Sequence, residues 1–319
     1  MNSGEILFVK SVKDGIPNRD PLNDSDARRI FSEEDGRISL SDVSIKRDVR
    51  DYVLAKYEDG GADKDKFIFV REVKSPDGKL LGRKSLAEDI IAKIAADKKK
   101  ETTEEVLKRA AFDVRTFGIV YSVTKDKFNL VGPVQFGWSH SLHPVMTKYI
   151  QGTVVMPSKD LSAGDSDGEG EATVTGNTQG TIWTSYTLPF AVFAMPAVIN
   201  ASIAKKTGMN QADQELLLEG LWKGTQNRQA RGRGNQQPLL MVHVEYNDPF
   251  YRIGYLEDYI KLIADREDTQ PTSVKDIKLD IKQLADICKK NANKIARCRY
   301  WINPMVVLEG EMWGEKTLF

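Results

Sequence analysis

Ser41-Asp42-Val43-Ser44-Ile45-Lys46-Arg47-Asp48-Val49-Arg50-Asp51-Tyr52-Val53 is the stretch on which the reading of this 319-residue chain turns. Ile45, Val49, Tyr52 and Val53 recur at i, i+4, i+7 and i+8, the apolar stripe of an amphipathic helix. Asp42 or Ser44 is the expected cap, accepting from the free N–H groups of the first turn. Lys46, Arg47 and Arg50 fall off the stripe, close to the helix start. The dipole disfavours cations there and attracts anions. Two explanations stand: a phosphate ligand, or a solvated face on which the cations pair with Asp48 and Asp51.

Outward from this helix, 5–12 is a short β-type run, followed by a loop with Gly15, Pro17 and Pro21. Residues 66–73 alternate and are β-rich, giving β–α–β in the first 75 residues. Residues 84–111 read as helix, split near the lysines at 98–100. A strand is expected over 114–123. Two more, at 149–156 and 181–187, flank the polar, Gly- and acid-rich stretch 160–180. That arrangement predicts a hairpin standing off the body. Residues 188–199 read as a buried strand leading into a helix. Residues 210–222 read as a helix stopped by Gly224. Then come a strand at 238–246, a helix at 255–267, a strand at 274–281 and a basic helix at 282–298.

A second basic element lies between 223 and 237, Lys-Gly-Thr-Gln-Asn-Arg-Gln-Ala-Arg-Gly-Arg-Gly-Asn-Gln-Gln. It contains no acid. Glycines allow close backbone approach, and Arg228, Arg231 and Arg233 can fork onto phosphate oxygens or stack on bases. With the first basic element it favours nucleic acid as the ligand.

Composition bounds the alternatives. The chain is 40% hydrophobic, enough for a large core. Lys plus Arg and Asp plus Glu each number 46, so a general polyanion binder is excluded while local basic surfaces remain. Cys288 and Cys298, ten apart on the expected last helix, suit a reducing cytoplasm as packed or partly exposed thiols. His140 and His143 have ligand spacing but no carboxylate or thiol partner nearby, so no metal and no cofactor is expected. No apolar run reaches membrane-spanning length, and the first residues form a strand pattern rather than a signal peptide. The expected fold class is α+β.

Several segments in one order resemble a known family. They are residues 36–52, Asn18-Arg19-Asp20-Pro21, Phe112-Asp113-Val114-Arg115-Thr116-Phe117-Gly118, Gly132-Pro133-Val134-Gln135-Phe136, and residues 217–225. Together they resemble the CRISPR-associated backbone subunit of type I Cascade complexes, most closely the I-B branch, over nearly the whole chain. The resemblance implies a ferredoxin-like, RNA-recognition-motif-like core spanning 1–319. In it, 84–111 would be a helical insertion and 138–182 an inserted thumb hairpin. It implies a non-catalytic protein of antiviral defence that polymerises along CRISPR RNA as a helical filament of its own copies. Phosphates would be held by Lys46, Arg47, Arg50, Arg228, Arg231 and Arg233, and guide bases left free to pair with target DNA. Further implied partners are a subunit capping the 5′ handle, a large subunit and the endonuclease that processes the guide. The alternative is a metal-dependent ribonuclease like the related type III backbone subunits, with Asp20, Asp24, Asp26 or Asp35 as the acid.

Overall fold

A computed structural model of the chain describes residues 1–17, 27, 35–96, 100–123, 126–153, 182–230, 232, 234–266, 270–317 and 319. The order is β1 (Gly4–Gly15), β2 (Ser39–Leu40), α1 (Asp42–Lys56), α2 (Arg83–Lys93), α3 (Thr103–Ala110) and α4 (Phe112–Phe117). Next are β3 (Gly118–Val123), β4 (Asp126–Val131), β5 (Val134–Phe136), β6 (Ser139–Ser141), β7 (Lys148–Thr153) and β8 (Ile182–Ile199). They are followed by α5 (Ala201–Thr207), α6 (Gln211–Gln226), β9 (Gln236–Tyr246), β10 (Lys261–Ala264) and β11 (Ile277–Asp280). The last are α7 (Lys282–Lys290), β12 (Ile295–Ile302), β13 (Val307–Glu309) and β14 (Glu315–Lys316).

The main sheet is ordered β14-β12-β9-β1-β8-β6-β2, with β5 and β7 also paired to β8. β1 sits near its middle, antiparallel to β8 and to β9. Strands covered on both faces read as continuous apolar runs, and Ile6-Leu7-Phe8-Val9 is one. Ile6, Phe8 and Val12 pack with Ile45, Val49 and Val53 of α1 and Leu217, Leu218 and Leu221 of α6. Leu7 and Val9 face the other way, onto Leu279 of β11 and Leu284 and Cys288 of α7. The two faces of β1 are therefore covered by different parts of the chain. A third cluster, with Phe67, Phe69, Ile90, Leu107 and Tyr121, gives the segment from 67 to 131 a core of its own.

Several sequence expectations are corrected. Residues 66–73 form no strand beyond one bridge from Phe67 to Ala111. Phe67, Ile68 and Phe69 are all buried, and the N–H groups of Phe69 and Val70 donate to Asp113 rather than to a neighbouring strand. The expected strand at 114–123 opens as α4, which ends at Gly118, φ +78, where β3 begins. Gly224 does not stop α6, which continues to Gln226. A Cβ on Gly224 would lie 2.5 Å from the Asp48 carbonyl oxygen, so this glycine lets α6 pack closely on α1. The expected helix at 255–267 is a 3-10 turn at Leu256–Tyr259 followed by β10, where pairing with β11 outweighs local helical spacing. The helix expected to reach 298 ends at Lys290, because β12 is drawn into the sheet beside β9. Cys288 is therefore helical and Cys298 lies on a strand, both buried free thiols.

The α1 boundary stands as expected, but its cap does not. Ser41 is the N-cap residue without a side-chain bond, and Ser44 donates to the Pro17 carbonyl at 3.3 Å. β8 is 18 residues long: 188–199 lie beside β1, and 182–187 continue outward to pair with β7. The polar stretch between those two strands lies outside the described residues. Among the described residues no helix is long and apolar enough to cross a membrane.

Candidate nucleic-acid interface

Arg47 and Arg50 of α1 belong to two separate ion-pair systems. Side chains four apart share a helix face. Arg47 and Asp51 accordingly meet, Arg47 Nε donating to Asp51 Oδ1 at 2.6 Å. Arg228, two residues past α6, donates from Nη1 to the other oxygen of the same carboxylate. Its Nε lies 3.7 Å from Asp48 Oδ1. Asp48 Oδ2 accepts from Lys10 Nζ at 3.3 Å, and that ammonium donates also to Gln236 Oε1 at 2.7 Å. Thus β1, α1, the end of α6 and the start of β9 are joined by one chain of charges, Lys10–Asp48–Arg228–Asp51–Arg47.

Burial grades along this chain. Lys10 and Asp48 are 2% and 1% exposed, Arg228 is 10%, and Arg47 is 44%. Buried charge survives only when paired and hydrogen-bonded. Two polar atoms of this series, Asp48 Oδ1 and Arg228 Nε, nevertheless have no hydrogen-bond partner among the described residues. Lys46 is held by Asp42 at 2.7 Å, four residues back and in the favourable acid-first order. Its Nζ lies 5.8 Å from the Phe117 ring centre.

Arg50 belongs to the second system. It is buried, with Nε donating to Asp113 Oδ2 at 2.9 Å and its guanidinium 5.2 Å from the Phe117 ring centre. Asp113 is fully buried and accepts also from the Phe69 and Val70 N–H groups. The expectation that Arg50 shares an open face with Arg47 is therefore corrected. One turn of helix places it toward α4, where it ties α1 to the segment with its own core. Arg231 and Arg233 lie outside the described residues.

Lys10 and Gln236 were not singled out by sequence reasoning, and Asp48 was expected only as a partner of the cations on its own helix. Lys10 carried a signal: it takes the place of an apolar residue in the series Ile6, Phe8, Val12 that faces the helices. The strand is bulged at this point. Val9 pairs with Leu240 but Lys10 with Pro238, leaving Leu239 as the extra residue. Such bulges re-aim side chains, and they concentrate near functional sites.

The acids proposed for metal chemistry are differently placed. Asp35 accepts from the backbone N–H and Nε of Arg37, bonds that hold its carboxyl below the usual range. Asp20, Asp24 and Asp26 lie outside the described residues. His140 Nδ1 is 3.0 Å from Ser39 Oγ, and His143 Nδ1 is 2.9 Å from the Pro144 carbonyl oxygen. Among the described residues no group of three or more His, Cys, Asp or Glu is gathered to hold a metal ion.

Comparison with known proteins gives this geometry a context. The overall fold matches a chain of a solved structure titled "CRISPR RNA-guided surveillance complex, pre-nicking", with a TM-score of 0.57 and 14% identity, covering 99% of this chain and 96% of that one. It also matches a chain of a "CRISPR RNA-guided surveillance complex" with a TM-score of 0.51 and 14% identity, over 99% and 94%. A curated relative from Haloferax volcanii, described as "CRISPR-associated protein Cas7", is 28% identical over 308 residues, or 92% of this chain and 85% of the relative. The family model described as "CRISPR-associated protein Cas7" matches residues 2–282. The chain belongs to the Cas7 family of CRISPR-associated proteins.

Proposed function

We propose that this protein is a CRISPR RNA-binding backbone subunit of a type I Cascade effector, of the I-B branch, acting in the cytoplasm. Copies assemble as a helical filament along the guide, with a cap subunit on the 5′ handle, a large subunit and the guide-processing endonuclease as neighbours. Guide bases are left to pair with target DNA, so pairing reads sequence while protein supplies position. The observation that carries this reading is the Lys10–Asp48–Arg228–Asp51–Arg47 chain. It sets Arg47 on the surface and leaves Asp48 Oδ1 and Arg228 Nε without hydrogen-bond partners. Phosphate oxygens supply further acceptors to the guanidinium groups of Arg47 and Arg228, with Lys46 preceding Arg47 on the helix and Arg231 and Arg233 following Arg228 in the same basic segment.

The whole chain acts as one ferredoxin-like unit. Supporting this are the neighbour order β9-β1-β8-β6 and the packing of α1 and α6 on one face, the connection pattern of a split β-α-β fold. The paired β7 and outer β8 are the base of a thumb hairpin that lies over the RNA. Residues 84–111 are a helical insertion. The protein is not an enzyme. Absorbance of purified protein at 260 and 280 nm, then sizing of extracted nucleic acid, tests the reading. RNA of discrete length, uncleaved on incubation with magnesium or manganese, is expected. Protein free of nucleic acid and without affinity for added RNA would contradict the function. Metal-dependent cleavage lost in Asp35→Ala or Asp20→Ala would contradict the non-catalytic assignment.

A further inference from the structure

Cys288 and Cys298 take no part in the charge chain, yet the fold sets them against each other. Asn293 stands midway between them in sequence and lies in a 3-10 turn, Ala292–Lys294. There the chain leaves α7 and turns back as β12. The reversal brings the two thiols together, side chain to side chain, inside the cluster with Leu279 and Leu284. Both are buried and free. The Cys288 thiol beside it first, and burial second, push the Cys298 thiol above its ordinary range. While covered, the pair is therefore held as S–H and reacts slowly.

The cover is thin. The Cys298 thiol donates to the Trp313 carbonyl at 3.3 Å. The next residue, Gly314, is exposed, and a Cβ on it would lie 3.0 Å from the Cys298 sulfur. Its φ of +124 suits glycine, so the backbone passes over Cys298 with no side chain between the sulfur and solvent. Beyond it, Glu315 and Lys316 form the short edge strand β14 on β12, and the Thr317 N–H donates to the Tyr300 carbonyl at 2.9 Å. Glu315 also pairs with Arg297, but both are exposed, and surface pairs contribute little. A segment held by so few bonds at a sheet edge opens locally while the rest stays folded. When this arm lifts, the Cys298 thiol is uncovered with a second thiol behind it, the arrangement of an attacking cysteine and its resolving partner.

We propose that Cys288 and Cys298 are a reversible disulfide site, oxidised by a peroxide when the arm 313–317 lifts, and that the bond formed keeps the arm from closing again. The Cys298 sulfur attacks the O–O bond of hydrogen peroxide, giving a sulfenic acid and one water. The Cys288 sulfur then displaces the sulfenic hydroxyl, which leaves as a second water with the remaining thiol proton as the S–S bond forms. The two sulfurs are oxidised and the peroxide is reduced. Cys298 then has no S–H to give the Trp313 carbonyl, so the arm loses that anchor. Both cysteines lie beyond residues 2–282, the span matched by the family model, and the site needs no RNA.

The test exposes the full-length protein to hydrogen peroxide overnight, then unfolds it for intact mass and thiol titration. The mass should fall by two hydrogens, both thiols should vanish together, and dithiothreitol should restore them. Trp313→Ala, with less to hold the arm, should oxidise faster. Trypsin, cutting after the exposed Lys316, should release 317–319 faster from the oxidised protein than from the reduced one. Cys288→Ser should form no disulfide and show no peroxide-dependent rise in that cut. Cys288→Ala serves in its place if the buried hydroxyl impairs folding. Thiols that survive in the wild type overturn the site. So does a mass gain from added oxygen in place of the lost hydrogens, or a disulfide between copies. Equal oxidation rates for wild type and Trp313→Ala, or equal release of 317–319 before and after oxidation, overturn the part given to the arm.

Discussion

Arg47 with Arg228 and Arg50 with Arg115 are both arginine–aspartate systems in contact with the same helical layer, yet they are built to opposite ends. Arg115 is 4% exposed and satisfied throughout. It donates to Asp213 through Nε at 3.0 Å and Nη2 at 2.7 Å, and to the carbonyls of Asp65, Lys108 and Arg109. Arg50 likewise closes on Asp113, whose oxygens also receive two backbone N–H groups. In the other system Asp51 serves two arginines at once, Asp48 keeps an orphaned oxygen, and burial falls steadily toward Arg47. Closed pairs act as joints between packed elements. A chain that ends at the surface in a 44% exposed guanidinium, Arg47, is ready for an outside anion.

The contrast breaks most visibly at the joints. Asp113→Ala should cost about 3–5 kcal/mol, because it strands a buried guanidinium and leaves the buried Phe69 N–H without its acceptor. Arg50→Gln should follow in the same direction. Melting curves that barely move for either variant would mean that the joint is not structural.

A pH series probes a third buried network, next in size. His243 is fully buried on β9 beside Arg299, which is bonded to Glu215. Burial first, then the Arg299 charge, lowers its pKa to about 3. An unfolded histidine titrates near 6.5. The native state thus refuses a proton that the unfolded state accepts, and stability falls as pH drops below about 6.5. Between pH 6.5 and 5 the loss from His243 should be about 2 kcal/mol. Burial also lowers His140 and His143, so wild type must be compared with His243→Gln. The variant should lose less stability over that window. Parallel curves for the two proteins would refute the assignment.

The open chain should respond through binding rather than stability. Asp51 is 33% exposed, and surface pairs contribute at most about 1 kcal/mol. Asp51→Asn should therefore melt almost as the wild type does. It should bind RNA more tightly and with a steeper salt dependence, since Arg47 and Arg228 lose a competing anion. Weaker binding by this variant would show that Asp51 positions the arginines rather than competing for them.

How much of this was legible in the sequence depends on what each residue satisfies. β1, α1 and α6 were readable because their apolar spacing is answered by the sheet–helix core itself. The 66–73 segment was not, because a distant carboxylate, Asp113, replaces the strand that its pattern predicts. Residues 255–267 have helical spacing, but Tyr255 and the β11 edge decide otherwise. In the site, Lys46, Arg47 and Arg50 were correctly placed off the apolar stripe. Only the fold could tell that Arg50 turns inward to Asp113 while Arg47 stays out. Lys10 was overlooked inside an apolar strand, since nothing local announces that Asp48 and Gln236 await it.

The central claim is that Arg47 and Arg228 neutralise RNA phosphates, and the salt dependence of RNA affinity tests it most directly. Each phosphate neutralised on a single strand contributes roughly −0.7 to the slope of log affinity against log salt. Arg47→Gln with Arg228→Gln should flatten that slope by about 1.4 and weaken unrelated RNA sequences equally, with a lower melting temperature because buried Asp48 loses one of its two cations. An unaltered slope and affinity in this double variant would contradict the account.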